Sequence, residues 1–241
     1  MSYEIARGGS DAPRQSIPPA EYCPVSIGAR LIGDRWTLLV IRELLVGASG
    51  FNDILRGLPG ISRTLLAGRL RHLEHLQLVT RRPTPEGSGR KDYVLTESGA
   101  ALWPLIEAIG RWAVEWKLPP PEESDVDLSL LLWRISQGID TASLPRPDMC
   151  VEFRFLDADP ARGYIRISGR GARRSACIGA PEHEADVVIT ANPRTLLALW
   201  FGQIPYAEAA SRGLIRFEGP PALVRQAPSW FRLSPFAERT D

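Results

Sequence analysis

The sequence contains no apolar run near the roughly 20 residues that a bilayer-spanning helix needs, which excludes a transmembrane protein of the helical kind. The segment from Met1 to Tyr22 lacks the apolar block of a secretory signal, so a cytoplasmic protein with no membrane partner is expected. Cysteine is scarce: Cys23, Cys150 and Cys177 are widely spaced and form no CxxC pair. That excludes a disulfide framework and a zinc knuckle and leaves the fold to packing. Histidine is scarcer in kind than in number, since none of the three falls in an HExxH motif. GxSxG and phosphate-loop patterns are also missing, so enzymatic chemistry has no carrier, and neither metal nor cofactor is expected. His72 and His75, three apart, could in principle hold a metal, but no cysteine lies near them. The Glu182-His183-Glu184 and Asp186 cluster reads as a solvated loop.

Net charge is also nearly absent, at +1 over 241 residues, but its distribution is uneven. From Arg30 to Leu95 there are 11 Lys or Arg against 6 Asp or Glu, whereas from Pro121 to Asp241 there are 14 against 16. A local basic excess matters more for a polyanionic partner than the sum does. At this length two domains are expected. Residues 1–20, rich in Gly, Ser, Pro and charge, read as a flexible arm. The prolines at 119–121 cannot continue a helix and mark a boundary between a domain at 21–118 and another at 124–236.

In the first domain the spacing predicts helices over Val25–Ile32, Arg35–Val46 and Phe51–Gly57, with Gly47 closing the second as a left-handed residue. Ser62 supplies an N-cap oxygen for a fourth helix running to Leu78. Leu65, Leu66, Leu70, Leu73 and Leu76 form its apolar stripe. Ser62, Arg63, Thr64, Ala67, Gly68 and Arg71 lie off that stripe, while Arg69 lies nearer to it and is as suited to fixing the helix to its neighbours as to touching DNA. A hairpin follows, with strands Val79–Arg82 and Asp92–Leu95 around a Gly-rich loop carrying Arg90 and Lys91. A long helix is then expected from Thr96 to Lys117, with more apolar surface than a small domain can cover.

This is the layout of a winged helix, which sets one helix in a DNA major groove and a β-ribbon on the flanking phosphates. Neutralising phosphates releases counterions and supplies most sequence-independent affinity. Arg81, Arg82, Arg90 and Lys91 suit that role. Arg63, Thr64 and Arg71 can reach base edges, each good Arg-to-guanine pair being worth about 1–3 kcal/mol of discrimination, and Gly68 permits close approach.

Several blocks carry a resemblance. They are Cys23-Pro24, Leu31-Ile-Gly-Asp-Arg-Trp36, Phe51-Asn-Asp-Ile54, Pro59-Gly-Ile-Ser62, Leu66-Ala-Gly-Arg-Leu70 and Tyr93-Val-Leu-Thr96-Glu-Ser-Gly99. In this order and spacing, from Cys23 to about Trp116, the chain resembles the HxlR family of bacterial winged-helix regulators. It departs at Gln77, where the family usually has Gly, which bears on how the fourth helix ends. The resemblance implies a homodimer paired through Leu102, Ile106, Ile109, Trp112 and Trp116, presenting two helices to a palindromic double-stranded DNA operator. It also implies that the cysteine at position 23 can sense oxidants or electrophiles, a thiol near a helix N-terminus being open to activation. An inert small hydrophobe is the other reading of Cys23, and the expected place of Cys150 and Cys177 is the core.

The second domain reads as α+β. A helix is expected over Val126–Ile139, strands over Cys150–Leu156, Gly163–Ser168, Ala185–Thr190 and Leu214–Phe217, and helices from Asn192 to Phe201 and Pro205 to Ser211. The run from Ala185-Asp-Val-Val-Ile through Leu199-Trp-Phe-Gly202 and Gly213-Leu-Ile-Arg-Phe-Glu-Gly219 to a helical segment around Leu223 resembles sterol carrier protein-like domains. That implies an apolar tunnel, which Leu197, Trp200, Phe201, Trp230 and Phe231 would line for a lipid-like effector. Ordinary core is the other reading of each. The leading expectation is thus a dimeric DNA-binding regulator, most simply a repressor, modulated by an apolar small molecule. A thiol-based regulator using Cys23 and a lipid carrier are its rivals.

Overall fold

The computed structural model describes residues 22–83, 91–119, 125–159, 161–169 and 173–237. The expected arm at 1–20, the loop residue Arg90 and most of the proline boundary lie outside these. The chain divides into two compact units between Ala108 and Ile109. The division falls inside a helix, upstream of the proline segment.

The first unit begins with α1 (Pro24–Ile32), α2 (Arg35–Leu45) and α3 (Phe51–Arg56). Asp34 starts α2 by accepting from the Trp36 and Thr37 amides at 3.0 and 3.1 Å, which satisfies donors that a helix start leaves open. Gly47 adopts φ +100° and ends it, as its position predicts. Val40, Ile41, Leu44 and Leu45 point into the core with Ile54. Glu43 is also fully buried, and its carboxylate occupies the space that a side chain at Gly57 would need, a Cβ there falling 1.9 Å from Glu43 Oε2.

α4 (Arg63–His75) is capped by Ser62 Oγ, which accepts from the Leu65 amide at 3.1 Å. Leu66, Leu70 and Leu73 are completely buried, and each contributes about 1.5–3 kcal/mol by leaving water. β1 (Val79–Pro83) and β2 (Lys91–Leu95) then pair antiparallel, Val79 opposite Leu95 and Arg82 opposite Asp92. Thr96 caps the next helix as expected, accepting from the Gly99 amide at 3.2 Å.

The single helix expected over Thr96 to Lys117 is instead two, α5 (Glu97–Ala100) and α6 (Trp103–Trp116). Pro104 is the reason: it has no N–H to donate to the carbonyl of Ala100, so the first helix cannot run on, while proline is tolerated in the first turn of a new one.

The second unit contains α7 (Leu128–Gln137), β3 (Met149–Phe155), β4 (Arg162–Ser168), β5 (Arg173–Ile178), β6 (Val187–Ala191), α8 (Pro193–Trp200), α9 (Tyr206–Ser211), β7 (Ile215–Glu218) and α10 (Pro221–Trp230). The strands form one mixed sheet in the order β5-β4-β3-β6-β7, antiparallel except for the β3–β6 pair. Parallel neighbours need a crossover; β5 runs in the same direction as β6, so residues 179–186 make it. Val151, Phe153, Ile165, Ile167, Val187 and Ile189 face the helices and form the core with Leu132 and Trp230. The alternate residues of the same strands, Glu152, Arg154, Arg162 and Tyr164 among them, take the other face.

β5 had no clear pattern in the sequence. Its inward positions are Arg174, Ala176 and Ile178, so alternation begins on a cation. The Arg174 side chain donates to the carbonyl of Gln137 at the end of α7 at 3.0 Å, and burial lowers its pKa. A cation at a helix C-terminus meets the negative end of the helix dipole.

Candidate nucleic-acid interface

The leucine stripe of α4 is locked inward, so the rest of the helix must face out. Ser62, Arg63, Thr64 and Arg71 are exposed, Ala67 and Gly68 half-buried, and all six share one helical surface. A Cβ at Gly68 would meet nothing within 4 Å, so the space above it is open. Arg63 is steadied by Asn52 of α3, whose Oδ1 accepts from Arg63 Nη1 at 3.1 Å, and it lies 5.9 Å from the Phe51 ring centroid. Arg71 folds back so that its Nε donates to the carbonyl of Ala67 at 3.3 Å, leaving its terminal nitrogens outward.

Two neighbours on this surface were not among the expected DNA contacts. Asn52 reaches it because α3 packs against α2, a tertiary fact without a local signal. His75 continues the line Thr64, Gly68, Arg71 at helical spacing and is exposed. Its supposed metal partner turns away, His72 Nε2 lying 3.2 Å from the carbonyl of Leu31. Among the described residues no group of three or more His, Cys, Asp or Glu could hold a metal.

Arg69 behaves as its place near the stripe predicts. Its Nε lies 3.3 Å from Asp34 Oδ1, the oxygen that caps α2, although the N–H is not aligned for a hydrogen bond. The contact sets α4 against the start of α2.

The hairpin cations differ among themselves. Lys91 is exposed and Arg82 half-buried. Arg81 is internally paired: its Nε lies 2.7 Å from Glu74 Oε1, its Nη2 donates to Oε2 at 2.9 Å, and its guanidinium sits 5.1 Å from the Tyr93 centroid. The hydrogen bond to Glu74 raises its pKa. The role expected of Arg81 as a free phosphate ligand is therefore corrected in part. It staples the wing to α4, at an exposed site where such a pair holds weakly enough to exchange partners.

Residues 31–120 match the HxlR-like helix-turn-helix family. The chain is 37% identical over 98 residues to the HTH-type transcriptional regulator YvaP of Bacillus subtilis (strain 168), a stretch that is 40% of this chain and 91% of that protein. This chain belongs to the HxlR family. The HTH-type transcriptional regulator MT3179 of Mycobacterium tuberculosis (strain CDC 1551 / Oshkosh) is 41% identical over 98 residues, which are 41% of this chain and 61% of that protein, so the match spans about three fifths of the mycobacterial protein. Among solved structures, quinone-bound YodB from B. subtilis is 34% identical, covering 39% of this chain and all of that one, with a TM-score of 0.34. As a member of the HxlR family the chain is a transcriptional regulator, and its relatives are regulators rather than enzymes.

Three further sets of expected residues can now be placed. On α6, Ile109, Trp112 and Trp116 are exposed at 45%, 55% and 64%. Ile106 is not with them; it is buried at 6% exposure and belongs to the core, and Leu102 precedes the helix half-buried. Leu105, at 44%, takes its place, so the outward stripe reads 105, 109, 112, 116, the 4-3-4 spacing of a helix-pairing seam. Ile109, Trp112 and Trp116 are common to this stripe and the expected set, and the difference lies at Ile106 and Leu105, which are both apolar so that only packing chooses between them.

Cys23 is exposed and is the N-cap residue of α1, its thiol making no capping hydrogen bond. Cys150 is buried, and burial pushes its thiol pKa up, whereas Cys177 is only half-buried. The place expected for Cys177 in the core is thus corrected. It lies on the outer sheet face opposite Tyr164.

In the second unit a cavity of about 10 Å³, room for about one water, lies between sheet and helices. Of the residues expected to line a tunnel, Trp200 and Phe231 line this cavity with Phe153, Leu196 and Tyr206, and Leu197, Phe201 and Trp230 do not. Trp230 is a fully buried core residue.

Proposed function

We propose that this regulator reads a palindromic operator as a homodimer, with the outward face of α4 in the major groove and the hairpin on the flanking phosphates. The observation that carries the reading is the exposure of Arg63, Thr64 and Arg71 on a helix whose Leu66, Leu70 and Leu73 are fully buried. Ser62, Ala67 and Gly68 make the close approach to the groove. Lys91, Arg82 and Arg90 neutralise phosphates, and Arg81 joins them by exchanging Glu74 for a phosphate. Repression by occlusion of the promoter is the simplest mode, and the cytoplasm its place of action.

Dimerisation is proposed through the uncovered stripe of α6, with Leu105 joining Ile109, Trp112 and Trp116. An apolar small-molecule effector in the second unit would enter by opening the cavity lined by Trp200 and Phe231. It changes DNA affinity only so far as it binds the DNA-competent and incompetent arrangements differently.

The test is binding of duplex DNA as a function of salt. Arg63→Glu with Arg71→Glu should abolish specific binding, and each single neutralisation to Ala should flatten the dependence of log affinity on log salt by about 0.9 per lost phosphate contact. Unchanged low-salt affinity in the double variant overturns the proposal.

A second reading rests on the exposed Cys23 at the start of α1: oxidation or alkylation of this thiol releases the operator. Cys23→Ser that still releases DNA on oxidant treatment removes it.

A further inference from the structure

The outer face of the sheet in the second unit carries a built polar cleft. Its volume is about 550 Å³, within the range of small-molecule sites. Glu152, Arg154 and Arg162 form the floor, the 180–185 segment forms one wall, and Glu218 with Gly219 forms the other. It lies on the opposite side of β3 from the core residues Val151 and Phe153, so it is separate from the small interior cavity.

Glu152 is only 4% exposed, yet it sits on the solvent side of the sheet. A carboxylate taken out of water needs strong partners. Both come to one oxygen: Oε1 accepts from Arg162 Nε at 2.7 Å and from Arg154 Nε at 3.2 Å. The hydrogen bonds recorded for Glu152 among the described residues thus both go to Oε1. Arg162 Nη2 also comes to Oε1, so the two guanidiniums converge on one carboxylate oxygen. The guanidiniums are not exhausted. The Nη1 of Arg154 is 3.8 Å from Glu218 Oε2, beyond hydrogen-bond range, and the side chains of Arg154 and Arg162 are 45% and 48% exposed.

The floor thus offers adjacent cationic donors and an anionic acceptor. The rim adds negative charge through Glu182, Glu184 and Glu218, with His183 between the first two. A dianion such as a phosphate ester would be drawn by two arginines but repelled by three glutamates. A simple amine would meet the arginines. A ligand that carries both signs a few ångströms apart satisfies every group.

We propose that this cleft binds a small zwitterion of the α-amino-acid class, its carboxylate on Arg154 and Arg162 and its ammonium between Glu152 Oε2 and Glu218. Charge-assisted hydrogen bonds of both signs then meet in one partly enclosed site. The proposal does not depend on the apolar effector: a ligand in the interior cavity touches neither arginine.

The experiment titrates the full chain with each of the twenty L-α-amino acids at up to about 10 mM, by calorimetry and thermal shift. At least one should bind. Its decarboxylated amine and its 2-hydroxy acid should each bind at least about tenfold more weakly. Arg154→Met and Glu218→Gln should weaken binding by a similar factor, Glu218 being exposed and its neutral variant tolerated even where the arginine variant fails to fold. Arg212→Met, at the end of α9 and outside the cleft, should leave it unchanged. Silence from all twenty, equal binding of the amine or hydroxy acid, or full affinity in Glu218→Gln overturns the proposal.

Discussion

Gln77 stands in a backbone conformation that its side chain opposes, and exchanging it for glycine should stabilise the end of α4. Its φ is +56°, following the last residue of α4 and its C-cap Leu76. The Leu78 amide donates back to the carbonyl of Leu73 at 3.0 Å, the hydrogen bond that closes a left-handed helix terminus. An L-residue pays about 1–2 kcal/mol for this conformation. Glycine avoids that cost but loses about 0.4–1 kcal/mol more through the freedom of the unfolded chain. The Gln77 side chain is exposed, and the hydrogen bonds recorded here, from Thr96 Oγ1 at 2.7 Å and Ser98 Oγ at 3.2 Å, go to its main-chain carbonyl, which any residue supplies. Gln77→Gly should therefore gain about 0.5–1 kcal/mol, and Gln77→Ala about nothing. That reverses the usual helix-interior order, in which alanine exceeds glycine by about 1 kcal/mol. Native-state hydrogen exchange at the amides of α4 and β1 reads the change locally, in a chain of two units whose global unfolding need not be one step. Exchange should slow by roughly two- to fivefold in the glycine variant alone. If Gln77→Ala protects as well as Gln77→Gly, or if glycine speeds exchange, the positive φ is not the source of strain.

Leu70→Ala, in the fully buried stripe of α4, should lose about 2.7–5 kcal/mol in urea unfolding; a loss below about 1 kcal/mol would mean the stripe does not seat the helix. Trp112→Glu or Trp116→Glu should shift sedimentation toward the monomer with secondary structure intact by circular dichroism, and an unchanged oligomer would remove α6 from the proposed interface. Tyr206 is half-buried against the core, and desolvation pushes its phenol pKa above the ordinary tyrosine value of about 10. The folded protein thus keeps a proton that the unfolded chain gives up, so its contribution is full below about pH 10 and is lost as pH rises beyond. The melting temperature of Tyr206→Phe should fall less than that of the native chain between about pH 9 and 11; equal slopes would contradict the burial argument.

Most of the DNA-facing half was legible because its physics is local. A serine oxygen three residues before a leucine amide, a glycine at φ +100° and a leucine every third or fourth position each follow from short-range geometry, and the helix ends fell where those signals stood. The misses share a cause. Ile106 and Leu105 are adjacent and equally apolar, so the sequence could not tell which of the two faces outward. Arg81 and Lys91 look alike as basic wing residues, yet one meets Glu74 from a different element. β5 escaped because an inward arginine breaks the alternation, and that arginine is acceptable only where α7 happens to end.

The second unit shows the division most clearly. Alternation in β3 and β4 determined which residues face inward, and the apolar content of α8 and α10 determined that they cover a core. How that core packs is a matter of volume, and Trp230, Phe153 and Phe231 meet in three dimensions in a way no periodicity expresses. The sequence by itself determined the elements, their caps and the inward side of each. Only the tertiary structure decided partners, as for Arg81 with Glu74 and Glu152 with two arginines, because hydrogen bonds and packing join residues far apart in the chain.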